Sequence, residues 1–316
     1  MNAQVKQPLD PAKFRDPKIT AKGEKRASVA LGGLETLWFN TGTLCNIECT
    51  RCYIESSPKN DKLAYLSVAD VRGYLDEIAA LGWRTREIGF TGGEPFMNRD
   101  ILAMLELALL RGFDVLVLTN AMRPMRRFEK GLVVLKERYS DRLTLRVSLD
   151  HYSAKIHDSE RGKGSFAKSL AGVDWLARNG FRLALAARHF TKESDSELRA
   201  GFASLVASRN WSIDASDPSQ LVIFPEMDVQ VDVPEITTAC WGILGKSPSD
   251  VMCSSSRMVV KRNGAPSPAV LACTLLPYDL QFELGATLAE ANRPVALNHP
   301  HCAKFCVLGG ASCSAR

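Results

Sequence analysis

The chain has 316 residues, 46% of them hydrophobic and 24% charged, with a formal net charge of +5. That is enough for one large or two ordinary folded domains, and it excludes a disordered, collagenous or coiled-coil chain. No apolar run reaches the length of a membrane span and none follows the N-terminal charges, so no membrane helix or secretory signal is expected and the chain reads as cytoplasmic. Nine cysteines, an odd number, point away from a disulfide framework and towards metal or redox chemistry. The positive charge is local. Residues 1–26 hold seven Lys or Arg against three acids, leaving +1 for the remainder, so this stretch reads as a solvated basic tail and nucleic acid is not an expected partner. The basic run at 123–127 reads as flanking a helix.

After a basic extension assigned to residues 1–34, apolar runs alternate with helical periodicity. The runs are 35–40 (ETLWFN), 86–90 (REIGF), 113–118 (FDVLVL), 142–149 (RLTLRVSL), 181–190 (FRLALAARHF) and 221–224 (LVIF), six expected strands. Between the first two, Val68, Val71, Leu75, Ile78 and Ala79 recur at helical spacing behind a capping box of Ser67 and Asp70. Ile101, Leu102, Leu105 and Leu109 repeat the pattern, as do Phe166, Leu170, Val173 and Leu176, then Leu198, Phe202 and Leu205. Such repetition predicts an α/β fold with a parallel sheet covered by helices. Six units suit a partial (β/α)6 TIM-like barrel better than a flat doubly wound sheet, although periodicity alone does not choose, and place function at the carboxyl ends of the strands. Alternation stops near residue 228. Residues 257–261 and 269–273 read as a hairpin about a turn at 262–264, and six of the nine cysteines lie in this stretch. A core of 35–227 and a smaller cysteine-rich domain of 228–316 are expected.

Cys45, Cys49 and Cys52 form C-x3-C-x2-C just after the first strand. Three thiolates on one short loop can hold three irons of a [4Fe-4S] cluster and leave the fourth open to substrate. Zinc is the alternative, but it normally needs four ligands, and the closest His in sequence is His151.

Here the sequence resembles the radical S-adenosylmethionine (SAM) superfamily. Besides the cysteine loop, Thr91-Gly92-Gly93-Glu94-Pro95 follows the second strand, Thr119-Asn120 the third, and Ser148-Leu149-Asp150 ends the fourth. His157-Asp158, Arg161-Gly162 and Gly164-Ser165-Phe166 are similar to the S-L-D…H-D…R-G-x-G-S-F stretch of the branch with extra C-terminal clusters. The resemblance implies a [4Fe-4S] cluster on Cys45, Cys49 and Cys52 whose open iron is chelated by SAM. It implies SAM contacts from Gly92, Gly93, Glu94, Pro95, Asn120, Ser148, Asp150 and Arg161. The glycines would admit backbone near the methionine, and Glu94 would accept from ribose or amine beside a turn stiffened by Pro95. Asn120 would touch methionine or ribose, Ser148 and Asp150 would reach ribose hydroxyls, and Arg161 would pair with the SAM carboxylate. Singly, these residues also read as a tight turn, a loop cap and a surface ion pair; their joint order favours the family. Where many relatives have an aromatic residue before the third cysteine, this chain has Arg51, so Tyr53, the apolar strand ends or Arg51 itself would meet the adenine.

Cys240, Cys253, Cys273, Cys302, Cys306 and Cys313 resemble the auxiliary-cluster domains called SPASM or, when shorter, twitch. Cys253 is followed by ten residues, Gly264, eight more and Cys273, a hairpin arm four residues longer than that pattern. The ligand set preferred from the resemblance is Cys240, Cys253, Cys273 and Cys313 for one auxiliary [4Fe-4S] cluster; the rival set pairs Cys253 and Cys273 with Cys302 and Cys306. A four-cysteine zinc hairpin or buried thiols are the plain alternatives. His299 and His301 read as part of a polar turn.

The chemistry so implied is reductive cleavage of SAM to a 5′-deoxyadenosyl radical that abstracts hydrogen from substrate, with an electron donor such as flavodoxin or ferredoxin. The auxiliary cluster would accept an electron from the substrate radical, or bind substrate if one iron is open. A peptide or protein substrate is the favoured reading, a small-molecule oxidation by a twitch-type enzyme the second. A non-catalytic iron-sulfur or zinc protein is the alternative of another class.

Overall fold

The computed structural model describes residues 7–226 and 228–311. The strands are β1 (Ser28–Val29), β2 (Thr36–Asn40), β3 (Glu87–Thr91), β4 (Asp114–Thr119), β5 (Leu143–Ser148), β6 (Arg182–His189), β7 (Leu221–Pro225), β8 (Ser256–Val260), β9 (Ala269–Leu271), β10 (Glu283–Gly285) and β11 (Val295–Ala296). The helices are α1 (Val68–Ala80), α2 (Ile101–Leu110), α3 (Arg123–Arg126), α4 (Glu129–Tyr139), α5 (Ala154–Arg161), α6 (Ser165–Arg178), α7 (Asp195–Arg209) and α8 (Cys240–Leu244). Strands β2 to β7 pair in parallel in chain order, forming the partial barrel.

Local signals and packing agree. Ser67 Oγ accepts from Asp70 N at 3.1 Å while Ser67 N donates to Asp70 Oδ2 at 2.8 Å, which starts α1. Helices α1, α2, α6 and α7 turn Val71, Leu75, Ile78, Ile101, Leu105, Leu170, Val173, Leu176, Leu198 and Phe202 onto the sheet, all buried. Ala79 is exposed, outside that stripe.

The 228–316 stretch extends the sheet of the core: β8 pairs in parallel with β2, β9 and β10 follow antiparallel, and one nine-stranded sheet results. One expectation is revised. The basic extension is not a solvated tail in its described part. Arg26 is 3% exposed and its Nη2 lies 2.5 Å from Glu235 Oε1, Lys13 Nζ reaches Asp232 Oδ2 at 2.7 Å, and β1 pairs with β11. The carboxylates that neutralise this charge come from more than 200 residues away, which charge counting along the chain does not see. Among the described residues no helix is long and apolar enough to cross a membrane.

Candidate active site

The cysteine loop after β2 is seated on the turn after β3. Gly93 N donates to Gly42 O at 2.9 Å and Glu94 N to Leu44 O at 3.2 Å. Gly92 has φ of +138°, and a Cβ there would lie 2.5 Å from Gly42 O; one on Gly93 would lie 2.3 Å from Leu44 O. Both positions therefore require glycine so that loop and turn can close on each other. The room that sequence reasoning reserved for a methionine is taken by the loop's own carbonyls, although both glycines still face the cavity.

That cavity, about 140 Å³ and open to solvent, lies at the carboxyl ends of the strands, and Cys45, Cys49, Cys52, Gly92, Gly93, Asn120, Ser148, Asp150 and Arg161 all line it. Glu94 and Pro95 do not. Glu94, 2% exposed, lies behind the wall and accepts from Asn120 N at 2.8 Å, Thr119 Oγ1 at 2.9 Å and Phe96 N at 3.2 Å. Burial pushes its carboxyl up to about 7. It acts on the site through Asn120, whose Nδ2 donates to Asn46 Oδ1 at 2.9 Å and approaches Cys45 Sγ to 4.0 Å.

Asp150 and Arg161 form a buried bidentate pair, not a surface one: Nε to Oδ2 is 2.8 Å, Nη2 to Oδ1 is 2.9 Å, and Asp150 is 1% exposed. Burial alone would raise the Asp150 carboxyl, but the guanidinium beside it brings it below its ordinary value. Arg51 pairs with Glu160 and faces the Phe190 ring at 5.5 Å. Arg188, at the end of β6, lies 3.8 Å from Glu160 and 5.9 Å from the Phe190 centroid. Sequence reasoning missed Glu160, Arg188 and the apolar wall of Phe224, Leu275 and Phe305. An arginine closing an otherwise apolar strand was the available signal for Arg188.

The H-D…G-S-F stretch is a helix-capping device. Asp158 accepts from Gly164 N at 2.7 Å, Phe166 N at 2.8 Å and Ser165 Oγ at 3.0 Å, placing its charge at the start of α6.

A second, small cavity of about 20 Å³ is lined by Cys253, Cys273, Cys302, Cys306 and His301 among apolar side chains. Cys253 sits before β8 and Cys273 after β9, so the hairpin brings them together, while Cys302 and Cys306 lie on a π-helical turn, Cys302–Leu308. Cys240 does not line this cavity: it begins α8, where Thr237 N donates to its Sγ at 3.3 Å. Cys313 lies outside the described residues. Leu275 lines both cavities, and Phe305, which stacks on Phe224 at 5.5 Å, lines the first and immediately precedes Cys306.

The donor sets fit iron-sulfur clusters in kind. Burial pushes the Cys45 thiol up to about 12 and the Cys253 thiol to about 11, so these cysteines are thiolates only beside a compensating cation. Among the described residues no three His, Cys, Asp or Glu side chains close to a single-ion site, and the four cysteines of the second cavity share its lining instead.

A partial parallel barrel with three cysteines on its first loop and a paired-glycine turn on its second defines an iron-sulfur, SAM-using class of enzyme. Residues 39–200, just over half the chain, match the Radical SAM superfamily, and the chain belongs to that superfamily. The antilisterial bacteriocin subtilosin biosynthesis protein AlbA of Bacillus subtilis is 34% identical over 149 residues, 47% of this chain and 32% of AlbA. The mycofactocin maturase MftC of Mycolicibacterium smegmatis is 30% identical over 163 residues, 52% of this chain and 39% of MftC. The chain thus spans 32% and 39% of the length of these two curated relatives. Streptococcus suis SuiB bound to its precursor peptide SuiA shares the fold with a TM-score of 0.59 at 14% identity, over 81% of this chain and 63% of SuiB. The AdoMet-bound enzyme anSMEcpe shares it with a TM-score of 0.57 at 14% identity, over 81% and 79% of the two chains.

Proposed function

We propose that this chain binds a [4Fe-4S] cluster through Cys45, Cys49 and Cys52 and SAM in the adjoining cavity, and uses them to oxidise a peptide or protein substrate. When bound, this pair supplies reductive cleavage to a 5′-deoxyadenosyl radical, which takes hydrogen from an unreactive carbon. The observation that carries the reading is that one cavity joins all three cysteines with Asn120, Ser148, Asp150 and Arg161. Asp150 takes two of Arg161's N–H groups, and Arg161 lines the cavity, where the others would be available to a carboxylate. Glu94 and the two glycines hold the cysteine loop and Asn120 in place, and Phe224, Leu275 and Phe305 keep one wall dry.

Cys253, Cys273, Cys302 and Cys306 are the ligands we assign to one auxiliary cluster, replacing the set with Cys240 and Cys313. Leu275 lines both cavities, so a cluster held by these cysteines would lie beside the first cavity and would supply an electron acceptor there. A peptide substrate is supported by the names of AlbA, MftC and SuiB bound to SuiA.

Anaerobic reconstitution and chemical reduction with SAM tests the reading. 5′-Deoxyadenosine should form in the parent and not in Cys45→Ala; equal yields overturn it. Deuterium passing from a labelled candidate peptide into 5′-deoxyadenosine identifies the substrate, and transfer only from small molecules overturns the peptide assignment.

A further inference from the structure

Arg257 is 0% exposed, at the root of the hairpin that carries Cys253 and Cys273. Its guanidinium donates to Cys253 O at 2.6 Å, Ser256 O at 2.8 Å, Ala291 O at 3.1 Å and Arg293 O at 3.3 Å. Every one of these acceptors is a backbone carbonyl. Among the described residues no carboxylate pairs with it, whereas buried Arg26 has Glu235 and Arg161 has Asp150. A buried cation without a counter-charge is costly enough that folded chains rarely keep one. The ionisable groups whose charge reaches Arg257 are the thiols of Cys253 and Cys273.

We propose that Arg257 is the counter-charge of the auxiliary cluster and holds its reduction potential up. This rests on the assignment of Cys253, Cys273, Cys302 and Cys306 as cluster ligands. Four thiolates outweigh a cationic iron-sulfur core, so the bound cluster is anionic and becomes more so when it takes an electron. A fixed positive charge beside two of its ligands favours the reduced form, since net charge and hydrogen bonding around a cluster set its potential. The carbonyl hydrogen bonds fix where that charge sits, and the arginine, which stays protonated at any working pH, cannot discharge itself by losing a proton. Arg257 is therefore a positioning and tuning residue, not a catalytic one.

The test uses the full chain with Cys45, Cys49 and Cys52 all changed to Ala, reconstituted anaerobically so that iron and sulfide report the second cavity alone. A protein devoid of iron overturns the ligand assignment, and the proposal with it. In a loaded protein, redox titration followed by electron paramagnetic resonance compares the parent with Arg257→Gln and Arg257→Lys. The expected result is at least a tenfold lower reduced-to-oxidised ratio for Arg257→Gln at a fixed potential, a downward shift of about 59 mV for one electron, with Arg257→Lys within threefold of the parent. An unmoved midpoint in loaded Arg257→Gln overturns the counter-charge while leaving the ligand assignment intact. If Arg257→Gln takes up no iron, Arg257→Lys decides. Loading of the Lys variant, which keeps the charge but not the planar fork, supports the proposal, and failure of both variants makes Arg257 a brace for carbonyls and overturns it.

Discussion

Arg161 grips Asp150 through two parallel hydrogen bonds, Nε to Oδ2 at 2.8 Å and Nη2 to Oδ1 at 2.9 Å, so the end of β5 and the last turn of α5 are tied together at the cavity wall. Asp150→Asn leaves the Arg161 guanidinium without its counter-charge, and the loss of a buried pair of this kind costs about 3 kcal/mol. Denaturant unfolding should show that loss, and equilibrium binding should show weaker SAM affinity. A variant as stable as the parent would mean that solvent screens Arg161.

Glu94 gives a pH signature. Its carboxyl is raised to about 7 by burial, so the folded protein holds a proton that the unfolded chain releases near the ordinary glutamate value. The stability this contributes is complete below the unfolded pKa and is lost as pH rises through about 7. Glu94→Gln removes that dependence, and because its amide nitrogen replaces one of the two accepting oxygens and cannot accept from Asn120 N, it costs about 1–3 kcal/mol at acid pH. Unfolding curves of parent and variant should therefore converge as pH rises from the ordinary glutamate value to about 7 and run parallel above it, and curves parallel throughout would refute the assignment.

His157 works in the other direction. It is buried with neither ring nitrogen hydrogen-bonded, and burial lowers it to about 4. The unfolded chain takes up a proton near 6.5 that the folded protein refuses, so stability is lost as pH falls from 6.5 towards 4. His157→Phe, against the edge of Phe166, should be within about 1 kcal/mol of the parent at alkaline pH and gain on it as the pH falls through that window. A constant difference would show that the imidazole is not held neutral.

Gly93→Ala drives a Cβ into Leu44 O, a backbone atom that moves only if the cysteine loop lifts. The overpacking costs about 1–3 kcal/mol, and because the strain falls on this loop, iron bound to the first site should fall more than the melting temperature does. Iron content equal to the parent's would show that the loop can re-seat.

Glu235→Ala strands Arg26, whose side chain is 0% exposed, and should cost about 3–5 kcal/mol. Limited proteolysis should then cut within residues 7–29 before the barrel. Unchanged protection would show that β1 pairing alone holds the N-terminal segment.

Much of the molecule was readable before folding because it is local. The six parallel strands follow from short apolar runs such as DVLVLT, α1 from Ser67 and Asp70, and the candidate cluster loop from three cysteines within eight residues. Pairings across long distances were not readable. Which cysteines share the second cavity depends on a hairpin and a π-helical turn packing together. The resemblance favoured Cys240 and Cys313 and held Cys302 and Cys306 as the rival pair; the cavity is lined by Cys302 and Cys306 and not by Cys240, while Cys313 lies outside the described residues. Glu94 looked like a ligand contact because its motif faces the site, but the turn directs its carboxylate backwards to the end of β4.

The sequence by itself determined the six parallel strands, the resemblance to the family and the cysteine loop, since periodicity and short spacings are written within a few residues. Only the tertiary structure decided how the charges are neutralised: Arg26 by Glu235, Arg161 by Asp150, and Arg257 by no carboxylate among the described residues. Burial removes water's screening, so a charge must then be met by whatever group the fold brings to it, however distant in the chain.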